Sequence, residues 1–301
     1  MKNLFVLFLI VTLFSACMKI EKAAPVKANF TPETPKLASD IMTPEVLWSF
    51  GRIGGTQISP DGKLVIYGVT YFNIAENKSY RDIYVIPVAG GKAKKLTDTP
   101  EKEAEEQWRP DGKKIGYVSS KSGSAQLWEM NPDGTGNVQI SNVTDGISGF
   151  SYSPDLKNIV YIKSVKLDKD IHDLFPDLPK ANARLETDLM YRHWDSWHDY
   201  TYQHVFVAKY SESGLSEDKD IMEGERFDSP LKPMGGIEQI NWSPDGKTVA
   251  YTCKKKVGKD YAISTNSDIY IYNLENGTTS NFTQGMMGYD INPVFSPMGK
   301  R

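Results

Sequence analysis

The chain has 301 residues, 40% of them apolar and 24% charged, an ordinary balance for a soluble protein with one large domain or two smaller ones. A formal charge of −3 argues against a general nucleic-acid binder, which would carry a basic face. Sixteen Tyr, twelve Phe and six Trp, with frequent Gly and Pro, suit strands joined by tight turns.

The chain opens with a targeting segment. After Lys2, residues 3–16 (NLFVLFLIVTLFSA) are mostly apolar and too short for a comfortable membrane span, so 1–16 reads as a signal peptide. The run ends in LFSAC, which resembles the lipobox of bacterial lipoproteins, although Phe14 stands where Leu is usual. The rival, a soluble secretory cleavage, wants a small residue where Phe14 sits. The expectation is lipidation of Cys17 and export, to the periplasm or as a lipoprotein of a Gram-negative outer membrane, with the lipid as the sole membrane contact. Cleavage removes one charge, Lys2, and leaves −4. Cys253 is then the only other thiol, no intrachain disulfide is possible, and its default role is a buried strand residue.

Residues 17–42 are rich in Lys, Ala and Pro and read as a flexible tether. In TPEVLWSF, Thr43 as N-cap, Pro44 as first helical residue and Glu45 in the first turn predict a short helix.

From residue 43 onward the chain repeats itself. ISPDGKLVIYGV (58–69), WRPDGKKIGYVS (108–119), YSPDLKNIVYIK (152–163) and WSPDGKTVAYTC (242–253) share a Pro-Asp-Gly turn followed by an alternating apolar strand, and FSPMGKR (295–301) begins a fifth copy. Proline presets φ for the second turn position, Asp suits the third, and Gly takes the left-handed conformation. Leu156 replaces that Gly in the third copy, where Asn158 is expected to take the left-handed position. A second unit follows each turn, as in RDIYVIPVAGGKAKKLTD (81–98) and SDIYIYNLENGTTSNFTQ (267–284): a strand, a Gly- or Asn-rich turn and, in three of four copies, a clear last strand. ENGT at 275–278 is such a hairpin turn. Four strands per repeat is the content of a propeller blade.

The turn prolines lie 50, 44, 90 and 53 residues apart, three of the intervals being near the roughly 40–50 of a blade. The long one reads as a single blade with about forty inserted residues between its second and third strands. The expected fold is therefore all-β: a β-propeller of four-stranded blades at about 56–98, 107–145, 148–230 (insertion about 165–202) and 239–284, with a fifth starting near 290. This partial ring covers 43–301. Because blades bury their faces only against neighbours, the sequence reads as the front part of a longer protein; a closed four-bladed ring with a tail is the alternative.

Between the repeats, EKEAEEQW (101–108) reads as a solvated acidic loop and KKKVGKD (254–260) as a charged loop. The segment YRHWDSWHDYTYQHVFVAKY (191–210) holds three of the four histidines. His193 and His198 are five apart and do not stack on one helical face, and no third ligand accompanies His198 and His204, so no metal or other cofactor is expected. A Ser-His-Asp set of His193, Asp195 and Ser196 needs a spatial geometry that proximity in sequence does not supply.

The leader, the MTPEVLWSFGRIGGTQISPDGKLVIYGV opening, the SPDG repeats and RHWDSWHDYTYQHVFV together resemble the N-terminal propeller of bacterial prolyl oligopeptidase-family serine peptidases, in the dipeptidyl peptidase and acylaminoacyl peptidase branch. The resemblance runs from about residue 42 to the end. It implies a propeller that limits access to small peptides, partnered by a C-terminal α/β-hydrolase domain with the catalytic Ser, Asp and His. The G-x-S-x-G elbow of that domain is absent, and GISGF (146–150) is only a look-alike, so no catalytic residue is assigned to this chain. The resemblance further suggests that Asp195 or Asp199 pairs with a peptide ammonium, that Arg192 takes a carbonyl or carboxylate, and that Trp194 or Trp197 forms an apolar wall. The bland reading is that Arg192 and Asp195 pair locally while the tryptophans pack the insertion onto the propeller or onto the missing domain. A non-enzymatic periplasmic propeller of the Tol-Pal type, binding another envelope protein, is the alternative from a different class.

Overall fold

The computed structural model describes Phe30, Pro32, Thr34, Pro35, Leu37 and residues 39–297. The signal segment, Cys17 and most of the 17–42 tether lie outside these residues. Helix α1 (Pro44–Ser49) starts as expected, with the Thr43 side chain accepting from the Val46 N–H and Pro44 in the first turn.

Four antiparallel sheets of four strands follow, each strand pairing with the next strand of its own sheet in chain order. Blade I holds β1 (Arg52–Ile58), β2 (Leu64–Asn73), β3 (Lys78–Pro87) and β4 (Lys94–Lys95). Blade II holds β5 (Glu103–Trp108), β6 (Ile115–Ser119), β7 (Gln126–Met130) and β8 (Val138–Gln139). Blade III begins with β9 (Gly149–Tyr152) and β10 (Asn158–Lys166). An insertion follows with helix α2 (Ile171–Leu174) and the short strands β11 (Arg192–His193) and β12 (Ser196–Trp197), before β13 (Thr201–Ser211) and β14 (Gly214–Asp220) complete the blade. Blade IV holds β15 (Ile240–Trp242), β16 (Thr248–Cys253), helix α3 (Gly258–Ile263), β17 (Asp268–Asn273) and β18 (Thr278–Asn281). This is an all-β propeller architecture, and no sheet closes on itself among the described residues. Past β18, Tyr289 bridges Ser267, and the FSPMGKR copy runs beyond the described residues.

The repeated turn has a side-chain logic as well as a backbone one. In blades I, III and IV the serine hydroxyl donates to the aspartate two residues on, Ser59 to Asp61, Ser153 to Asp155 and Ser243 to Asp245, at 2.6–2.8 Å. The same oxygen accepts the N–H of Leu64, Asn158 or Thr248, which starts the second strand. Gly62, Gly112 and Gly246 take positive φ, and in the third copy Leu156 itself does so (φ 57), not Asn158, which is already paired in β10. The turn geometry fixes which position bends, whatever residue stands there.

The first strands of successive blades lie beside one another and are tied by side chains. Gln57 Oε1 accepts the Trp108 backbone N–H (2.5 Å), Gln107 Nε2 donates to Phe150 O (2.5 Å), and the Trp242 indole donates to Ser151 O (3.1 Å). Three apolar cores fill the junctions. Ile66 and Ile83 meet Ile115 and Tyr117 between blades I and II, Leu127 meets Phe150 and Tyr161 between II and III, and Val205 meets Tyr251 between III and IV. Cys253 is buried in the third core, as expected, and burial pushes its thiol pKa up. β1, by contrast, is exposed along its length.

Two loop readings are corrected. Residues 103–108 are not a solvated acidic loop but strand β5, with Glu103 and Glu106 buried. Residues 258–260 belong to α3, so KKKVGKD is only partly loop. The last strand is present in all four blades, β14 serving the third.

Candidate functional site

Asp168 anchors the insertion between β10 and β13. Its Oδ1 receives Arg226 Nε (2.8 Å), and its Oδ2 receives the Tyr202 hydroxyl (2.6 Å) and faces His198 Nε2 (3.2 Å). One carboxylate thus joins the start of the insertion to its end and to the segment after β14. Just beyond, Asp170 and Asp173 form a capping box on α2 and both pair with Lys166, at 2.7 and 2.5 Å.

The distal part is a small hairpin. β11 and β12 pair Arg192 with Trp197 and His193 with Ser196, and Trp194 turns the chain with φ 51. The Arg192 guanidinium lies 5.3 Å over the Trp197 ring, Arg184 approaches the same ring at 5.8 Å, and Tyr191 stacks on it with centroids 6.0 Å apart. Trp194 stands 70% exposed. With Leu189, Met190, Tyr191 and Arg192 it lines an open hollow of about 510 Å³.

Of the five candidate residues, Arg192, Trp194, Asp195 and Trp197 share this hairpin, while Asp199 sits past it. Asp199 Oδ1 accepts the Thr201 N–H (3.1 Å) and hydroxyl (2.7 Å). Burial opposes its charge, but these bonds outweigh it and lower its pKa, so Asp199 has a turn-holding role. The local Arg192–Asp195 pair does not form: Arg192 Nε donates to Trp194 O (2.9 Å), and Asp195 accepts from the Ser196 hydroxyl (3.3 Å). Both tryptophans are exposed, so neither is buried against the propeller. The His193 ring packs on Trp194 with centroids 5.0 Å apart and makes no hydrogen bond to the Asp195 or Ser196 side chain.

A second polar cluster, not anticipated from sequence, lies where β5 meets blade I. Arg81 grips the Glu106 carboxylate with two bonds (2.7 and 2.8 Å) and donates to Glu103 O (2.6 Å). Space for the pair comes from glycine: a Cβ on Gly68 would fall 2.0 Å from the Arg81 guanidinium, and one on Gly55 2.2 Å from Glu106. Glu105 holds a positive φ of 55 at a bulge, and burial with the charges of Glu106 and Glu238 raises its pKa. Such a backbone conformation is costly for a non-glycine residue. The sequence carried a signal for this site. Counting back five residues from the turn prolines of blades I to IV gives Gly55, Glu105, Gly149 and Gln239, so only blade II places a carboxylate there.

The chain matches the TolB beta propeller domain over residues 35–214. It is 45% identical over 273 residues to dipeptidyl-peptidase 5 of Porphyromonas gingivalis, which covers 91% of this chain and 40% of that protein. Dipeptidyl-peptidase 5 of Porphyromonas endodontalis is 43% identical over 295 residues, 96% of this chain and 42% of that protein. The chain therefore spans about two fifths of the length of these curated relatives. Among solved structures, an acylaminoacyl peptidase from Pyrococcus horikoshii has the same fold over 78% of this chain and 33% of its own, with a TM-score of 0.55 and 14% identity.

Proposed function

Because this chain belongs to the TolB beta propeller domain family, we propose that it is the substrate-gating propeller of an exported serine exopeptidase that degrades oligopeptides, with catalysis supplied by an α/β-hydrolase domain of the full-length protein. The observation that carries this reading is the 45% identity to a dipeptidyl-peptidase along 91% of the chain. The leader and the LFSAC run support a lipid anchor at Cys17 in the periplasm or on the outer membrane.

In this reading the insertion hairpin meets the peptide. Arg192, stacked on Trp197, offers a preoriented cation to a carbonyl or carboxylate. Trp194 supplies an apolar wall, and Asp195 faces the peptide ammonium. Asp199 acts indirectly, by holding the turn into β13. The family also fits a non-enzymatic envelope-binding module, which would bind a protein partner and turn over no peptide.

The test is steady-state kinetics of the full-length protein on a chromogenic dipeptide amide. Trp194→Ala and Arg192→Ala should each raise KM about tenfold, worth ~1.4 kcal/mol of binding, with kcat within twofold. An unchanged KM in both contradicts the hairpin's role, and absence of turnover in the wild type contradicts the enzyme reading.

A further inference from the structure

His204 lies on β13 with no exposed surface. Its Nδ1 is 2.7 Å from Asp220 Oδ2 and its Nε2 is 2.7 Å from Glu225 O. Both partners are acceptors, one a carboxylate and the other a peptide carbonyl. Neutral imidazole has a single N–H and can satisfy only one of them, leaving a nitrogen lone pair facing an oxygen in a dry site. The imidazolium donates to both.

The two acceptors lie on different pieces of chain. Asp220 ends β14 and also accepts the Met222 N–H through Oδ1 (2.8 Å). Glu225 belongs to the segment that crosses to blade IV. That segment is further tied by Asp228 to the Gln203 N–H (2.8 Å), by the Ser229 N–H to Gln203 O (2.8 Å), and by Arg226 to Asp168 at the insertion root (2.8 Å). We propose that His204 is a proton-operated latch holding residues 221–236, and through them the root of the insertion, against blade III: closed when the ring is charged and loosened when it is neutral.

The charged groups around the ring favour the closed form. From β14 comes Asp220, and from the crossing segment come Asp228 and Glu225. The Glu225 carboxylate pairs with Lys255 beyond β16 (2.5 Å). On β10, Lys163 is the register partner of His204, with its ammonium 5.7 Å over the Phe206 ring. Arg226 is turned to Asp168. Burial opposes the charged ring, but the bond and charge of Asp220, the Glu225 carbonyl and the charge of Asp228 outweigh it, and the pKa stands above the ordinary 6.5. The latch therefore contributes fully below about pH 6.5 and is lost as pH rises through the ring's folded-state value. It stands whether or not the propeller serves a peptidase.

The experiment is an NMR titration of the histidine rings, with His204 assigned by through-bond correlation of its ring to its own backbone, together with amide exchange of residues 221–236 expressed as protection factors. The expected result is a His204 ring that titrates above 6.5 while protection at Met222, Glu225 and Ser229 falls in step. The fall should be about tenfold for each unit by which the ring exceeds its ordinary value. His204→Gln should show lower protection and no step. A wild-type ring titrating at or below 6.5, or protection in 221–236 that ignores its titration, would overturn the latch, and both readouts survive if the variant fails to fold.

Discussion

Glu103 shows how far a single side chain can depart from its look in the sequence. It sits on β5 with no exposed surface; one carboxylate oxygen accepts from the Thr99 and Ser119 hydroxyls, and the other has no partner. Burial, with the nearby charge of Asp82, pushes its pKa up to about 7 despite those bonds. The native state holds this proton more tightly than the unfolded chain, so stability falls as pH rises from about 4.5 to about 7. Across that window the loss is about 3 kcal/mol. Glu103→Gln keeps an oxygen for the two hydroxyls and removes the titration, so urea unfolding between pH 5 and 8 should show a pH slope reduced by about that amount. A variant with the wild-type slope would show that Glu103 is not the titrating group. The acid-rich run 101–108 pointed to solvent because composition cannot reveal partners from elsewhere in the chain. Arg81 and Ser119 reach β5 only through the fold.

At the scale of strands and turns, the legible features were those whose cause is local. The Pro-Asp-Gly turns, the α1 cap and the alternating strands after each turn depend on residues within a few positions of one another. β5 escaped because its alternation is acidic, the buried Glu106 being matched by Arg81 across the junction and the buried Glu103 by the Thr99 and Ser119 hydroxyls. The Arg81–Glu106 pairing also accounts for Gly55 and Gly68, which leave room for a carboxylate and a guanidinium between two sheets. Breaking a buried pair by neutralising one partner leaves the other charge stranded. Glu106→Gln should therefore cost 3–5 kcal/mol, or about that order, measured by chemical denaturation, whereas a loss below about 1 kcal/mol would mean that water already screens the pair. The insertion was visible as an interval too long for one blade, but its hairpin was not. Two-residue strands and a φ of 51 at Trp194 leave no periodic trace, and the anchor Asp168 lies thirty residues from His198.

For the whole molecule, four sheets are joined by three junction cores of the same construction, each an apolar layer sealed by a bond between neighbouring first strands. Counting turn motifs recovered this architecture because the repeat is the fold. Of the five candidate residues four fall on one hairpin, their bonding differs from the pairing expected, and the cluster at β5 was missed. The central claim is that this propeller admits short peptides to a serine exopeptidase centre. It is tested most directly by incubating the full-length protein with short peptides, free or acetylated at the N-terminus, and following products by mass spectrometry with and without a fluorophosphonate. The account predicts stepwise release from the free N-terminus of short peptides, abolished by the fluorophosphonate. Peptides left intact by a folded full-length protein would contradict it.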